Sequence, residues 1–432
     1  MSDQFQNSPE MFLNLNVRGL PQSATLAINE ISQKLEKSGR HIYKLGLGQS
    51  PFPVPDPVVQ ALRANAHRKL YLPVKGLPEL RDSVANYYHR TQSLECSGED
   101  VLIGPGSKEL MFLLQLVYYG DLVIPTPSWV SYAPQANIIG RHVRWLATDP
   151  NNDWRLTSDE LEVLCKEDPG RPRIVILNYP ANPTGRTYPE DELKSLANVA
   201  RKNRVVLLSD EIYGELHHEG KHISIARFYP EGTIVSGGLS KWCGAGGWRL
   251  GTFVFPKSLH WLMDAMAVVA SETFTSTSAP IQYAAVRAFH GGIQIERYLW
   301  NSRRILKALG DHIANKLKTS EIKVSCPQGA FYLFPDFKKF KKQLHKRKIL
   351  TSDMLCDRLI QEAGVAILPG TVFGRESSEL TARISYVDFD GTRALAASEQ
   401  IPPEKILDEQ FLTHYCGHTL DAIDELINWI QK

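Results

Sequence analysis

The sequence predicts an α/β protein: a large domain with a mostly parallel sheet flanked by helices, and a smaller α/β domain after it. Three observations carry this. From Asp56 onward short apolar runs alternate with amphipathic stretches, the order that lays helices on both faces of a parallel sheet. After Trp300 the texture changes to long helical segments with isolated strand-like pieces. The chain has 432 residues, room for two or three domains at roughly 150 residues each. We place an N-terminal arm that contributes to the small domain at 1–50, the large domain at 51–305 and the small domain at 306–432.

Taken in order, Ser23 to Lys37 reads as a helix, with Ala24, Ile28, Ile31 and Leu35 on one face, Ser23 placed to cap it and Gly39 after its last turn. Strands are expected at Val101–Ile103, Leu122–Ile124, Ile174–Leu177, Val205–Leu208, Thr233–Val235 and Thr252–Phe255. Ser107–Tyr118 and Glu190–Lys202 are amphipathic and supply connecting helices. Later strand-like pieces are Phe331–Phe334, Val365–Leu368 and Ala382–Val387. No internal repeat is visible, which excludes a solenoid.

Composition narrows the function classes. Lysine and arginine total 49 against 47 acids, a formal net charge of +2, which argues against a nucleic-acid or membrane-surface binder and favours small-molecule work. The six cysteines, at 96, 165, 243, 326, 356 and 416, are far apart and suggest neither a disulfide framework nor a clustered zinc site. Met1–Glu10 is polar and lacks a signal-peptide pattern, and no apolar run approaches the ~20 residues of a membrane span. A cytoplasmic protein is expected. The neighbours His217 and His218 would point to opposite faces of a strand, so they are read as a solvated loop or strand end, with no metal. Lys338–Lys348 holds seven basic residues and no acid. Phe337, Phe340 and Leu344 fall at helical spacing, so the run is read as the solvated face of a packed segment.

The chemistry lies at strand ends. Asp210 follows one apolar run and Lys241 another, and ligands of parallel sheets bind beyond such ends. A lysine there can form a Schiff base with an aldehyde cofactor, and an aspartate can keep a pyridine nitrogen protonated so that the ring accepts electrons. That is the chemistry of pyridoxal 5'-phosphate. Gly104-Pro105-Gly106-Ser107-Lys108 joins a strand to a helix, so backbone amides there can cradle a phosphate, and Arg249 can add a charge.

An ordered set of segments carries a resemblance over most of the chain: PQSATLAI from Pro21, GLGQSPFPVP from Gly46, YLPVKGLPELR from Tyr71, GPGSK from Gly104, PSWVSY from Pro127, NYPANPTG from Asn178, DEIY from Asp210, SKWCGAGGWRLG from Ser240, GAFYLFP from Gly329 and ARISY from Ala382. With these the chain resembles the fold-type I, class I/II aminotransferases, the aspartate and aromatic aminotransferase group. The resemblance implies pyridoxal 5'-phosphate and ping-pong transfer of an amino group between an amino acid and a 2-oxo acid. It implies that Lys241 binds the cofactor and moves the α-proton, that Asp210 pairs with the ring nitrogen, and that Tyr213 and Asn182 bond the ring oxygen. Trp129 would stack on the ring. Gly106, Ser107, Lys108 (by backbone), Ser240 and Arg249 would hold the phosphate, with Tyr71 reaching in from a second subunit, hence a homodimer with shared sites. Arg383 would clamp the substrate carboxylate, helped by Gly48 and Asn182.

Departures from the family pattern bear on specificity. Gly238 stands where a serine is common, Gln49-Ser50-Pro51 where many relatives have Glu-Pro-Asp, and Glu272–Pro280 lacks the arginine that dicarboxylate-specific members commonly place there. The stretch Asp388–Gly417 looks longer than usual. With Phe52, Trp129 and Tyr132 as aromatic pocket candidates, neutral or aromatic amino acids are expected over aspartate, with glutamate admitted if Arg18 swings in. The same scaffold also serves decarboxylases, carbon-sulfur lyases, cyclases and oxidases, and a cofactor-binding regulator is the non-enzymatic alternative.

Overall fold

The computed structural model describes residues 12–432, so the polar stretch Met1–Glu10 lies outside them. A short strand β1 (Tyr43–Lys44) precedes β2 (Val101–Gly104), β3 (Asp121–Thr126), β4 (Val143–Ala147), β5 (Arg173–Asn178), β6 (Val206–Asp210), β7 (Thr233–Gly238) and β8 (Gly251–Val254). The last seven form one sheet in the order β2-β8-β7-β6-β5-β3-β4. Its pairs are parallel except those of β8, which runs antiparallel to both β2 and β7. All six apolar runs expected as strands of this sheet lie in it. They read as continuous apolar runs because helices cover both faces: Leu122, Ile124, Ile176 and Leu208 face one core, and Val123, Val175 and Leu207 the other. β4 escaped the sequence reading because it is an edge strand, partly exposed along its length, and carries no unbroken apolar run.

Helices Ser107–Val117 and Glu190–Lys202 lie where their amphipathic period puts them. Helix Ala24–Lys37 forms, but Ser23 does not cap it; its hydroxyl meets that of Thr25 at 3.1 Å. Ile31 is exposed, so the buried stripe is narrower than the sequence reading: Ala24 and Ile28 lean on Phe334, Leu368 and Phe373, and Ile28 and Leu35 on Ile42, Ile360 and Ala366.

Beyond the large sheet, β9 (Tyr332–Leu333), β10 (Val365–Ala366), β11 (Leu368–Pro369) and β12 (Ala382–Ser385) build two small sheets. β1 pairs parallel with β10, and β12 lies between β11 and β9, antiparallel to both. The piece expected as one strand at Val365–Leu368 is therefore two, with different partners. Tyr332 pairs with Ser385, two residues from Arg383, so Tyr332 and Arg383 share a face. The long stretch after Val387 holds a helix, Gly391–Glu399, capped by Asp390, and a loop that Arg304 pins through the carbonyls of Ile401 and Pro402.

His218 corrects one expectation. It is buried, with Nε2 3.1 Å from the Ala330 carbonyl, and burial pushes its imidazole down to about 4. Among the described residues no group of three or more histidines, cysteines or acids is placed to hold a metal, and no helix is long and apolar enough to cross a membrane. In the basic run, Lys338, Lys339, Lys341 and Lys342 are exposed while Phe337, Phe340 and Leu344 are buried. Lys339 meets Glu321 and Arg347 meets Glu362. Leu344→Ala is accordingly expected to cost about 2–5 kcal/mol in urea unfolding, and Lys342→Ala no more than ~0.5 kcal/mol. A Lys342→Ala loss as large as that of Leu344→Ala would show that the charges, and not the apolar face, hold the segment.

Candidate active site

The parallel strands deliver their carboxyl ends to one cleft of about 540 Å³. Asp210 ends β6, Asn178 ends β5, and the chain leaving β7 at Gly238 turns into Ser240 and Lys241. Eleven of the sequence-derived candidates line it: Gly48, Ser107, Lys108, Trp129, Asn182, Asp210, Tyr213, Ser240, Lys241, Arg249 and Arg383. Gly106 does not line it but lies against the Arg249 guanidinium. Tyr71 is not brought to the cleft of its own chain and is 88% exposed.

Asp210 is buried and accepts from the Tyr132 hydroxyl at 2.5 Å, from the Ser236 hydroxyl at 3.3 Å and from the Ile212 amide at 3.4 Å. Burial raises its carboxyl to about 6, and these donors work against that rise. Lys241 donates to the Gly48 carbonyl at 2.7 Å and lies 5.6 Å from the Tyr213 ring centroid. Loss of water and the positive charge of Arg383 push its ammonium down to about 8, with Asp210 pulling the other way.

The loop before helix Ser107–Val117 makes an anion cradle. Among the described residues no side chain caps this helix, and its first residues, Ser107 and Lys108, line the cleft, so their amides are free for an anion. Gly106 has φ +93°, and a Cβ there would meet the Arg249 guanidinium at 2.2 Å; a Cβ on Gly251 would meet the Ser107 amide nitrogen at 2.1 Å. Two glycines thus let a guanidinium and a helix start close on one point. Gly238 offers no hydroxyl there.

Arg383 is buried under a different geometry. One Nη donates to Asn182 Oδ1 at 3.0 Å and the other to the Gly46 carbonyl, while Nε has no partner among the described residues. Its guanidinium lies 4.7 Å from the Tyr332 ring centroid and 5.1 Å from that of Phe373. With only neutral partners, the guanidinium keeps its charge available to a carboxylate that enters the cleft.

Some residues take places the sequence reading did not give them. Tyr132, expected as apolar pocket wall, is bonded to Asp210 behind the cleft, and Phe52 is buried against Tyr298 and Phe389. Neither lines the cleft; Arg18 is exposed and also outside it. Lys108, expected to act through its backbone, also brings an ammonium to the wall, 5.2 Å from the Trp129 ring centroid. Tyr332 lines the cleft and bonds Tyr213, hydroxyl to hydroxyl, at 2.7 Å. Its place in GAFYLFP, with the period of two relative to Arg383, was the available signal. The buried carboxylate, the lysine with depressed basicity and the glycine-built anion cradle fit pyridoxal 5'-phosphate.

Comparison with known proteins agrees. The family described as aminotransferase class I and II matches residues 40–397. The aspartate aminotransferase of Geobacillus stearothermophilus is 33% identical over 386 residues, 87% of this chain and 94% of that one. The aspartate/prephenate aminotransferase of Thermus thermophilus is 31% identical over 84% of this chain and 91% of that one. A solved structure of aspartate aminotransferase from Thermus thermophilus with maleate superposes with a TM-score of 0.81 at 27% identity, covering 97% of this chain and all of that one.

The raised Asp210 carboxyl gives a signed prediction. In cofactor-free protein its stability contribution is full below about pH 4, the range of an unfolded aspartate, and is lost as pH rises through 6. Relative to Asp210→Asn, the wild type should therefore lose roughly 3 kcal/mol between about pH 4 and pH 7 in urea unfolding. Parallel profiles for the two proteins would contradict the assignment.

Proposed function

We propose, for a chain that belongs to the class I and II aminotransferases, that its cleft transfers the amino group of a dicarboxylic amino acid to a 2-oxo acid, with Lys241 as the working base. The protein is a pyridoxal 5'-phosphate-dependent transferase. The observation that carries the assignment of residues is the sharing of one cleft by Lys241, Asp210 and Arg383, none of them in a direct ion pair among the described residues.

When bound, pyridoxal phosphate supplies an electrophilic carbonyl carbon and a ring that accepts electrons. The remaining work falls to side chains. Lys241, with its ammonium brought down to about 8, has an appreciable neutral fraction near pH 7. It would hold the cofactor and, with its amine free, would take the proton from the substrate α-carbon. Asp210, held by Tyr132 and Ser236, keeps a proton on the ring nitrogen. Tyr213 and Asn182 bond the ring oxygen and Trp129 covers the ring face. Gly106, the amides of Ser107 and Lys108, Ser240 and Arg249 hold the phosphate. Arg383, with Gly48 and Asn182, turns the substrate carboxylate so that the α-hydrogen faces Lys241.

Support for a dicarboxylic substrate is of two kinds. Two of the three aromatic residues that argued for an apolar pocket do not line it, and Lys108, its ammonium 5.2 Å from the Trp129 ring centroid, does. Relatives named aspartate aminotransferase cover most of the chain, and one solved structure carries maleate. This reverses the preference for neutral substrates drawn from the sequence.

The homodimer with shared sites belongs to the same proposal. Lys75 bonds Asp264 at 2.6 Å, which ties the Tyr71 segment to helix His260–Glu272. Leu70, Tyr71, Trp261 and Val268 are exposed on these two segments, apolar surface of the kind a second copy covers. A cytoplasmic location accords with six free cysteines. Pairing of β1 with β10 supports the arm, 1–50, as a contributor to a small domain at 306–432, beside a large domain at 51–305.

Mixing the holoenzyme with aspartate should convert the cofactor to its amine form with oxaloacetate as product; release of ammonia, carbon dioxide or peroxide instead would select another reaction of the scaffold. Lys108→Met should lower kcat/KM for aspartate about 10- to 100-fold and that for alanine less than about threefold. Equal losses for both would remove Lys108 from substrate choice. Mixed Tyr71→Phe and Lys241→Ala chains should form hybrids with one intact site, so that activity exceeds the sum of the two parent variants; no recovery would reject the shared-site dimer.

A further inference from the structure

Tyr332 has no part in the roles assigned so far, although it touches three of the elements that make the site. Its side chain is 1% exposed. Its hydroxyl meets the Tyr213 hydroxyl at 2.7 Å, and the two rings stand edge to face, 5.5 Å apart at 82°. Its ring underlies the Arg383 guanidinium. Its oxygen packs on the α-carbon of Gly48, where a Cβ would lie 2.0 Å away, and the Gly48 carbonyl is the acceptor for Lys241. Backbone pairing of β9 with β12 holds the residue there.

A phenol carries one proton. If Tyr213 gives its proton to the ring oxygen of the cofactor, the bond between the two tyrosines can be kept only with Tyr332 as donor. Among the described residues Tyr213 is then the sole hydrogen-bond partner of the Tyr332 hydroxyl. A cation over the ring makes a phenol a better donor, and Arg383 is that cation. We propose that Tyr332 is a positioning residue acting through Tyr213: it donates to the Tyr213 oxygen, aims that phenol at the cofactor's ring oxygen and strengthens its donation, while its ring carries Arg383. The proposal rests on the reading that Lys241 holds the cofactor and Tyr213 bonds its ring oxygen.

The two duties are separable by substitution. Tyr332→Phe keeps the ring beneath Arg383 and removes the hydroxyl, with its proton and its packing on Gly48; Tyr332→Leu removes the ring as well. Donation to the ring oxygen draws charge from it and so weakens its hold on the neighbouring proton of the Lys241–cofactor linkage. Loss of the Tyr332 hydroxyl should therefore move the midpoint of the bound cofactor's absorbance titration upward, by roughly 0.5 to 1 pH unit. Turnover should fall about three- to tenfold, with KM for aspartate changed less than about twofold. Tyr332→Leu should in addition raise that KM about tenfold.

The deciding experiment is the absorbance titration of four holoenzymes: wild type, Tyr332→Phe, Tyr213→Phe and the double variant. The expected result is an upward shift from Tyr332→Phe in the wild-type background and none in the Tyr213→Phe background. An equal shift in both backgrounds, or no shift in either, overturns action through Tyr213. Lys241→Ala, measured alongside, separates the two levels: a titration lost in that variant with an unmoved Tyr332→Phe midpoint rejects the Tyr332 role alone, whereas a titration that survives Lys241→Ala rejects both.

Discussion

The site depends on three ionisable groups, Asp210 and Arg383 buried and Lys241 half-buried, that have no ion-pair partner among the described residues. Asp210 rests on hydroxyl and amide donors, Lys241 on a carbonyl, and Arg383 on a carbonyl and an amide oxygen. Burying such groups is unfavourable, and each responds in the direction that burial dictates: the carboxyl up, the ammonium and guanidinium down. Removal of any neutral partner leaves a buried charge worse off, so the surrounding network is constrained more tightly than a set of ordinary contacts. On the proposed assignment, the same unmet charge is what the cofactor ring and a carboxylate substrate satisfy on binding.

Topology makes that arrangement reachable. β5, β6 and β7 run parallel side by side, so their carboxyl ends bring Asn178, Asp210 and the Lys241 turn to one edge. β8, reversed between β2 and β7, carries Gly251 against the start of helix Ser107–Val117, where a side chain would block the amide of Ser107. The opposite wall comes from β9 and β12, whose register puts Tyr332 and Arg383 on one face. Neither wall is a site alone: Arg383 meets Asn182, which follows β5, and Tyr332 meets Tyr213, which follows β6.

Much of this was legible in the sequence, for a physical reason. Strands buried on both faces read as unbroken apolar runs, and a lysine, an aspartate and a glycine-rich turn after such runs have few uses other than a cofactor. The edge strand at Val143–Ala147 was not legible, because half-exposed positions leave no such run. Nor were the places of Phe52, Tyr132 and Lys108. A side chain's type says that it is aromatic or cationic, while its direction depends on neighbours distant in sequence: Asp210 for Tyr132, and Tyr298 and Phe389 for Phe52. Two of the three aromatic residues behind the expectation of an apolar pocket are absent from the cleft for that reason. His218 was misread for the same reason, since the carbonyl that accompanies its burial belongs to Ala330.

The central claim is that Lys241, desolvated between Asp210 and Arg383, is the amine that holds the cofactor. Borohydride reduction of the holoenzyme, followed by digestion and mass analysis, tests it directly, because reduction makes the carbonyl–amine linkage permanent. The account predicts the added mass of reduced pyridoxal phosphate on the peptide containing Ser240-Lys241-Trp242, and nowhere else at one equivalent per chain. The same mass on Lys108, or on any lysine outside the cleft, would contradict it.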